Sequence, residues 1–273
     1  LTVNPSSTGT ITLTTSDLTV SGTLTVSDED TLSIASGRTL THTGATLTLS
    51  GATGGTISGD GTLRFTHNSG GPGTDGTISS IVRYDASGGN IADSTIDART
   101  YSGVVELFSD NSAGAARSIT LTSGTYTTSG GTSHLHLINN SDSYSLTLDA
   151  SANPTVTIGG DLDFTGTGAS SEIITSGTGT WTVGGDVNFT DGTYTATSGN
   201  TLKMGGTSKT ITSASNTLQN FEVASGSISN VDSFDVDGTF TVTAGGFTHG
   251  AGDNIDITVA GDFTIQDDAT WTE

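Results

Sequence analysis

The phrase VTIGGDLDF at residues 156–164 returns as WTVGGDVNF at residues 181–189, 25 positions further along the chain. In both copies apolar residues alternate with polar ones on either side of a Gly-Gly pair, a pattern typical of two short strands joined by a tight corner. Related phrases occur at 235–242 and 257–265, and the segment 201–211 fills the interval imperfectly. A phrase that recurs at this spacing predicts a solenoid, in which each repeat is one structural unit stacked on the last.

Units of about 23–25 residues, made of short strands and glycine corners, predict an all-β fold of the parallel β-helix type. A propeller blade needs about 40 residues, and no segment shows the apolar spacing of an amphipathic helix. The alternative is a tandem pair of antiparallel β-sandwiches. In a β-helix the Gly159–Gly160 and Gly184–Gly185 pairs would adopt backbone conformations that residues with a Cβ avoid.

Strand alternation also predicts which side chains point into the solenoid. Apolar residues at every second position should form inward rows, with Thr, Ser and Asp facing outward. The residues predicted to be buried are Val156, Ile158, Leu162, Phe164, Val183, Val187, Phe189, Val259 and Phe263.

The repeat pattern divides one continuous solenoid into three parts. Residues 1–66 and 151–273 read as regular coils, whereas the alternation is less even in residues 67–150, where most of the Arg and Tyr residues gather. We expect longer loops or a widened coil in this middle part.

The composition excludes several classes of partner. Seven Lys and Arg residues against 28 Asp and Glu give a net charge of −21, which opposes binding to nucleic acid or to an anionic membrane surface. The chain has no Cys, and no apolar run approaches the roughly 20 residues of a membrane span. The chain opens on Leu1, so we interpret it as processed or as part of a longer protein.

The segment TLKMGGTSKTITSASNTLQNFEV at 201–223 resembles the Thr/Gly-rich repeats of very large bacterial and archaeal surface proteins. The segment NPTVTIGGDLDFTGTG at 153–168 is similar to the same class. The likeness covers most of residues 1–66 and 151–273, and any Thr/Gly-rich solenoid shares its motifs. It implies a parallel β-helix in an extracellular adhesin, sheath or filament, and it brings no catalytic residues with it.

Acidic residues that follow the glycine corners are the first candidate site. Asp161 and Asp186 would lie about 5 Å apart on neighbouring coils, close enough to repel unless solvent or a cation screens them. Asp163 lies two positions beyond Asp161, on the same face. Carboxylate oxygens suit Ca²⁺, which is therefore the candidate cofactor. The alternative is that these are solvated turn residues that add solubility.

Two further patterns could carry chemistry. His134 and His136 share one strand face and could chelate Zn²⁺, although a closed site needs two more ligands that the spacing does not reveal. A polysaccharide-acting enzyme would need clustered carboxylates and basic groups on one face. The candidates for that set are Arg83, Asp85, Asp93, Asp97 and Arg99.

The sequence favours a structural role: a stiff rod in an exported adhesin, sheath or self-assembling filament, and not an enzyme. Surface glycans are a candidate ligand, and a carbohydrate-binding module is an alternative reading. Recurrent Thr-x-Thr pairs could bind ice, but their spacing is irregular. Neither end of the sequence shows a polar cap. We therefore expect the rod to continue, through more of the same polypeptide or through an identical subunit docked head to tail.

Overall fold

Short parallel strands wind into a β-solenoid of about 11 turns in the computed structural model. The structure describes residues 1–4, 8–51, 53–66, 73–87, 93–96, 98–110, 114–169, 171–250 and 255–273. Within these ranges the chain forms 35 strands and no helix, so no helix there could cross a membrane. Within these ranges most coils contribute one strand to each of three faces, and the paired strands in every sheet are parallel. The predicted β-helix is confirmed, and the antiparallel sandwich alternative is wrong.

Face one is a single sheet of 12 strands that runs along the solenoid. Its strands, in order, are β3 (Leu18–Val20), β6 (Thr39–His42), β9 (Thr62–Phe65), β11 (Ile81–Asp85), β14 (Val105–Asp110), β17 (Leu135–Asn140), β20 (Leu162–Phe164), β23 (Val187–Asn188), β26 (Lys209–Thr212), β29 (Ser227–Asn230), β32 (Gly245–Thr248) and β35 (Ala269–Thr272).

Face two is divided into three sheets. Its strands are β1 (Thr2–Val3), β4 (Leu24–Val26) and β7 (Leu47–Leu49); β12 (Asp93–Ile96), β15 (Arg117–Leu121), β18 (Leu146–Asp149), β21 (Glu172–Thr175) and β24 (Gly192–Thr195); and β27 (Thr217–Leu218), β30 (Phe234–Val236) and β33 (Ile257–Val259).

Face three is divided into two sheets. Its strands are β2 (Thr10–Leu13), β5 (Thr31–Ile34), β8 (Thr56–Ser58) and β10 (Thr77–Ile78); and β13 (Thr100–Tyr101), β16 (Thr125–Thr128), β19 (Thr155–Ile158), β22 (Thr180–Val183), β25 (Thr201–Met204), β28 (Asn220–Val223), β31 (Phe240–Val242) and β34 (Phe263–Ile265).

The two quoted phrases stack directly on each other. Val156 pairs with Trp181 on face three, and Leu162 pairs with Val187 on face one. Both pairs are 25 positions apart, which is the offset of the sequence repeat. The phrase returns because successive coils turn the same corner.

The coil length varies along the solenoid. Val105 pairs with Leu135, 30 positions later, so this coil is longer than the quoted ones, whereas the coil before it spans 23 positions, from Val82 to Val105. Phe221 pairs with Phe240, only 19 positions later. Both the strands and the connecting corners are longer in the longer coil, where β14 (Val105–Asp110) has six residues and β28 (Asn220–Val223) has four.

The core consists of stacked aliphatic and aromatic rows. Seven of the nine residues predicted to be inward are buried, namely Val156, Ile158, Leu162, Phe164, Val183, Val187 and Phe189. The prediction is wrong for Phe263, which is 46% exposed, and Val259 is only partly buried. Phe263 lies on β34, the last strand of its sheet, so its ring packs on Phe240 and Trp271 but no strand pairs with β34 on its other side.

Glycine is required at these corners for a different reason from the one predicted. None of Gly159, Gly160, Gly184 and Gly185 has a positive φ. Instead, a Cβ on Gly185 would lie 2.5 Å from the carbonyl oxygen of Gly160, and one on Gly184 would lie 2.7 Å from that of Gly159. The coils approach too closely at this corner for any side chain, so glycine is required sterically.

Candidate functional site

A row of charged side chains runs along the outer surface of face one. Strand register stacks Arg64, Arg83, Glu106, His136 and Asp163 on five successive coils. Neighbouring strands lie about 4.8 Å apart, so each of these side chains lies beside the next. Nε of Arg83 donates to Oε2 of Glu106 at 2.6 Å, and Nδ1 of His136 contacts Oδ1 of Asp163. This row concentrates titratable groups on a surface that is otherwise dominated by Thr and Ser.

His136 is the group in this row whose protonation is most affected by its surroundings. Burial lowers the pKa of His136, but the hydrogen bond to Asp163 and the negative charges of Asp163, Glu106 and Asp161 outweigh it. The net result is a pKa raised above 6.5. The fold therefore favours a proton on the imidazole that faces these carboxylates.

A second histidine–aspartate pair lies beside the first. The His134 and His136 rings have centroids 5.1 Å apart. Nδ1 of His134 lies 3.1 Å from Oδ2 of Asp161 and accepts the Asp161 backbone N–H at 2.8 Å. Two imidazoles and two carboxylates thus meet on adjacent strands. The pairing was missed in the sequence because it depends on a coil offset of 27, whereas the visible repeat has 25.

The acidic corner residues join one coil to the next. Oδ1 of Asp161 accepts the backbone N–H of Asp186 at 2.7 Å, and Oδ1 of Asp186 accepts that of Thr210 at 2.7 Å. Each carboxylate satisfies a corner amide of the following coil, as a side chain does at a helix N-cap. This bonding explains why Asp recurs directly after the glycine pair.

A lysine supplies a countercharge to the stacked carboxylates. Nζ of Lys209 lies 3.9 Å from Oδ1 of Asp161 and 3.6 Å from Oδ2 of Asp186. The structure therefore brings Asp161 and Asp186 together as predicted and places an ammonium group beside both. Over the described residues, no group of three or more His, Asp or Glu side chains is arranged to hold a metal ion. Calcium binding by Asp161, Asp163 and Asp186 stays a prediction.

The residues proposed for a polysaccharide-acting enzyme are spread over the solenoid. Arg83 and Asp85 lie on β11 of face one, whereas Asp93 begins β12 of face two. Asp97 lies outside the described residues. Nη2 of Arg64 binds Oδ2 of the buried Asp85 at 2.6 Å, so that carboxylate is held in an ion pair.

Arg99, the last member of that set, binds the backbone of a neighbouring corner. It is buried, and its guanidinium donates to the backbone carbonyls of Gly73 at 2.9 Å and Gly76 at 3.1 Å. Its Cζ also lies 5.4 Å from the centre of the Tyr101 ring. Arg99 thus holds a neighbouring corner in place, away from Arg83 and Asp85.

Comparisons with family models, curated proteins and solved structures find no match to this chain.

Proposed function

We propose that this chain is a stiff, non-catalytic rod segment of an exported surface protein, such as an adhesin, sheath or extracellular filament. The observation that carries the proposal is the sheet of face one, whose 12 strands run without interruption through all the coils. At about 4.8 Å per coil this sheet gives a rod roughly 50 Å long. A backbone ladder along the rod axis resists bending, so a rod of this kind holds whatever lies beyond its ends at a fixed distance.

The surface composition supports an exterior location. The outward positions are mostly Thr, Ser and Asp, and the net charge of −21 keeps such a surface soluble. In an adhesin the long polar faces would present the chain to surface glycans. Antibodies against the purified chain should label intact cells of the source organism. Labelling that requires permeabilised cells would refute the exported location.

The proposal includes further coils that stack on the ends of the solenoid, from the same polypeptide or from an identical subunit. Most large hydrophobic side chains that are exposed in the described residues lie on the first or last coil, namely Leu1, Ile11, Leu18, Phe263 and Ile265. All strands run in the same direction along each face, so a stacked coil would continue the parallel ladders. Such contacts do not close, and copies would extend into a filament.

Head-to-tail association is tested by placing a charge on an end or on a side. Phe263→Asp changes the terminal coil, and Val231→Asp changes a side residue that is 53% exposed. Sedimentation velocity at increasing concentration should show oligomers of the wild type and of Val231→Asp, and monomers of Phe263→Asp. If the wild type stays monomeric at all concentrations, identical subunits do not extend the rod, and continuation within one polypeptide is the version that survives.

A further inference from the structure

His134 and His136 form a pair of neighbouring imidazoles on the outer surface of face one. Residues two apart on a strand point to the same side, and here the intervening Leu135 points into the core. The two side chains are 24% and 21% exposed, and their ring centroids lie 5.1 Å apart. We propose that this pair chelates a divalent transition metal ion such as Zn²⁺ through the two Nε2 atoms.

The neighbouring coil supplies the support that metal-binding histidines require. Register places Asp163 beside His136 and Asp161 beside His134, and both carboxylates contact the Nδ1 atoms. Metal-bound histidines commonly donate their second ring N–H to a carboxylate, which fixes the tautomer and increases the basicity of the coordinating nitrogen. Asp161 and Asp163 are therefore positioning residues in this proposal, and the histidines are the ligands.

Metal binding requires one local exchange of hydrogen bonds. Nδ1 of His134 now accepts the backbone N–H of Asp161. With a metal on Nε2, the proton lies on Nδ1. This N–H donates a hydrogen bond to Oδ2 of Asp161, which is already 3.1 Å away. The proton on Nε2 of His134 thus moves to Nδ1, the Asp161 amide gives up this acceptor, and the strand pairing is unchanged. His136, whose surroundings favour the protonated form, releases one proton to solvent as its Nε2 binds the metal.

The donor set determines which metal fits. Imidazole nitrogen suits Zn²⁺, Cu²⁺ and Ni²⁺, whereas Ca²⁺ and Mg²⁺ prefer oxygen ligands. The pair supplies two protein ligands, and among the described residues no third His, Asp or Glu completes a metal-binding group. Water would fill the remaining positions of a tetrahedral ion, so the site is more open than the usual zinc site with three protein ligands. The carboxylates of Glu106, Asp161 and Asp163 favour a dication here, and Lys209 opposes it.

The proposal is tested by titrating the full chain with ZnCl₂ and, separately, CaCl₂ in a calorimeter. Wild-type protein should bind one Zn²⁺, and His134→Gln and His136→Gln should each weaken binding by tenfold or more. His249→Gln is the matched control, because this histidine lies far along face one, just after β32, and its loss should leave Zn²⁺ affinity unchanged. Circular dichroism of each variant establishes that the fold is kept, which is expected because both histidines face outward.

A second variant tests the carboxylate behind His136. Asp163→Asn should weaken Zn²⁺ binding by about 10- to 100-fold, as is typical when the carboxylate behind a metal-bound histidine is lost. Nitrogen-15 shifts of the two rings should also show coordination through Nε2. The proposal is overturned if Zn²⁺ fails to bind, or if both histidine variants bind as wild type does. It is overturned equally if only Ca²⁺ binds and Asp186→Asn, not the histidine variants, abolishes that binding.

Discussion

Truncation of Phe189 to Ala should cost much more stability than the same change at Phe263, although both rings lie in inward rows. Phe189 is fully buried, with the Phe164 and Tyr194 rings at 5.3 and 4.8 Å. Phe263 is 46% exposed at the last coil. The difference between the two stability costs measures how much a side chain contributes when a further coil covers it.

The two magnitudes follow from the areas and the cavities. Removing a buried Phe side chain costs about 3–5 kcal/mol, because lost transfer energy adds to an unfilled cavity. At Phe263 roughly half of that surface is already in water, and an open end leaves no enclosed cavity, so about 1–2 kcal/mol is expected. The free energies of unfolding of the two variants should therefore differ by roughly 2–3 kcal/mol.

Urea denaturation followed by tryptophan fluorescence and by circular dichroism measures this difference. The chain has two Trp residues, and both are kept because the Trp271 ring packs against Phe263, with ring centres 5.0 Å apart. Trp181 is buried, and its indole N–H donates to the Ser176 carbonyl at 3.1 Å, so unfolding of the central coils changes its emission. Equal costs for Phe189→Ala and Phe263→Ala, or a cost below about 1 kcal/mol at Phe189, would refute the assignment of burial to coil stacking.

Three further substitutions test the corners and the buried charge by the same denaturation assay. Gly185→Ala should destabilise by about 1–3 kcal/mol through overpacking, whereas Gly131→Ala, where a Cβ meets nothing within 4 Å, should be nearly neutral. Asp232→Ala should cost about 2–3 kcal/mol because its carboxylate accepts two backbone N–H groups of a neighbouring coil, and the exposed Asp235→Ala should cost little. Burial raises the pKa of Glu172 above 4.5, so the folded state binds this proton more tightly. Its stabilising contribution is full below pH 4.5 and is lost as pH rises through the raised folded pKa, and Glu172→Gln should remove that loss. These explanations would be contradicted if Gly131→Ala lost as much stability as Gly185→Ala, or if Asp235→Ala lost as much as Asp232→Ala. An unchanged dependence of stability on pH in Glu172→Gln would contradict the explanation for Glu172.

The fold was predictable because the coils repeat one local pattern of short alternating strands and tight corners. Val156 and Ile158 alternate with Thr, and the Gly-Gly pair marks the corner, so a short window contains the strand, the turn and the inward face. Burial of Phe263 was not predictable in this way. Its alternation is the same as that of Phe164, and only the presence or absence of a neighbouring coil separates the two side chains.

The cause of the glycine corner was also beyond local reasoning. A positive φ is a property of one residue and is the usual reason for glycine in a turn. At Gly185 the reason is the backbone of Gly160, which is 25 positions earlier. A sequence window that contains one corner cannot show how closely the next coil approaches it.

The number of residues between paired positions on neighbouring coils decides which outward side chains meet. The core is much less sensitive to this number. The inward rows need only an apolar side chain at each level, so they form whether the offset is 19, as between Phe221 and Phe240, or 25, as between Leu162 and Val187. A polar pair forms at one offset only. His136 meets Asp163 because the intervening coil has 27 residues. Coil length therefore leaves the fold unchanged while it decides which charged groups face each other on the outer surface.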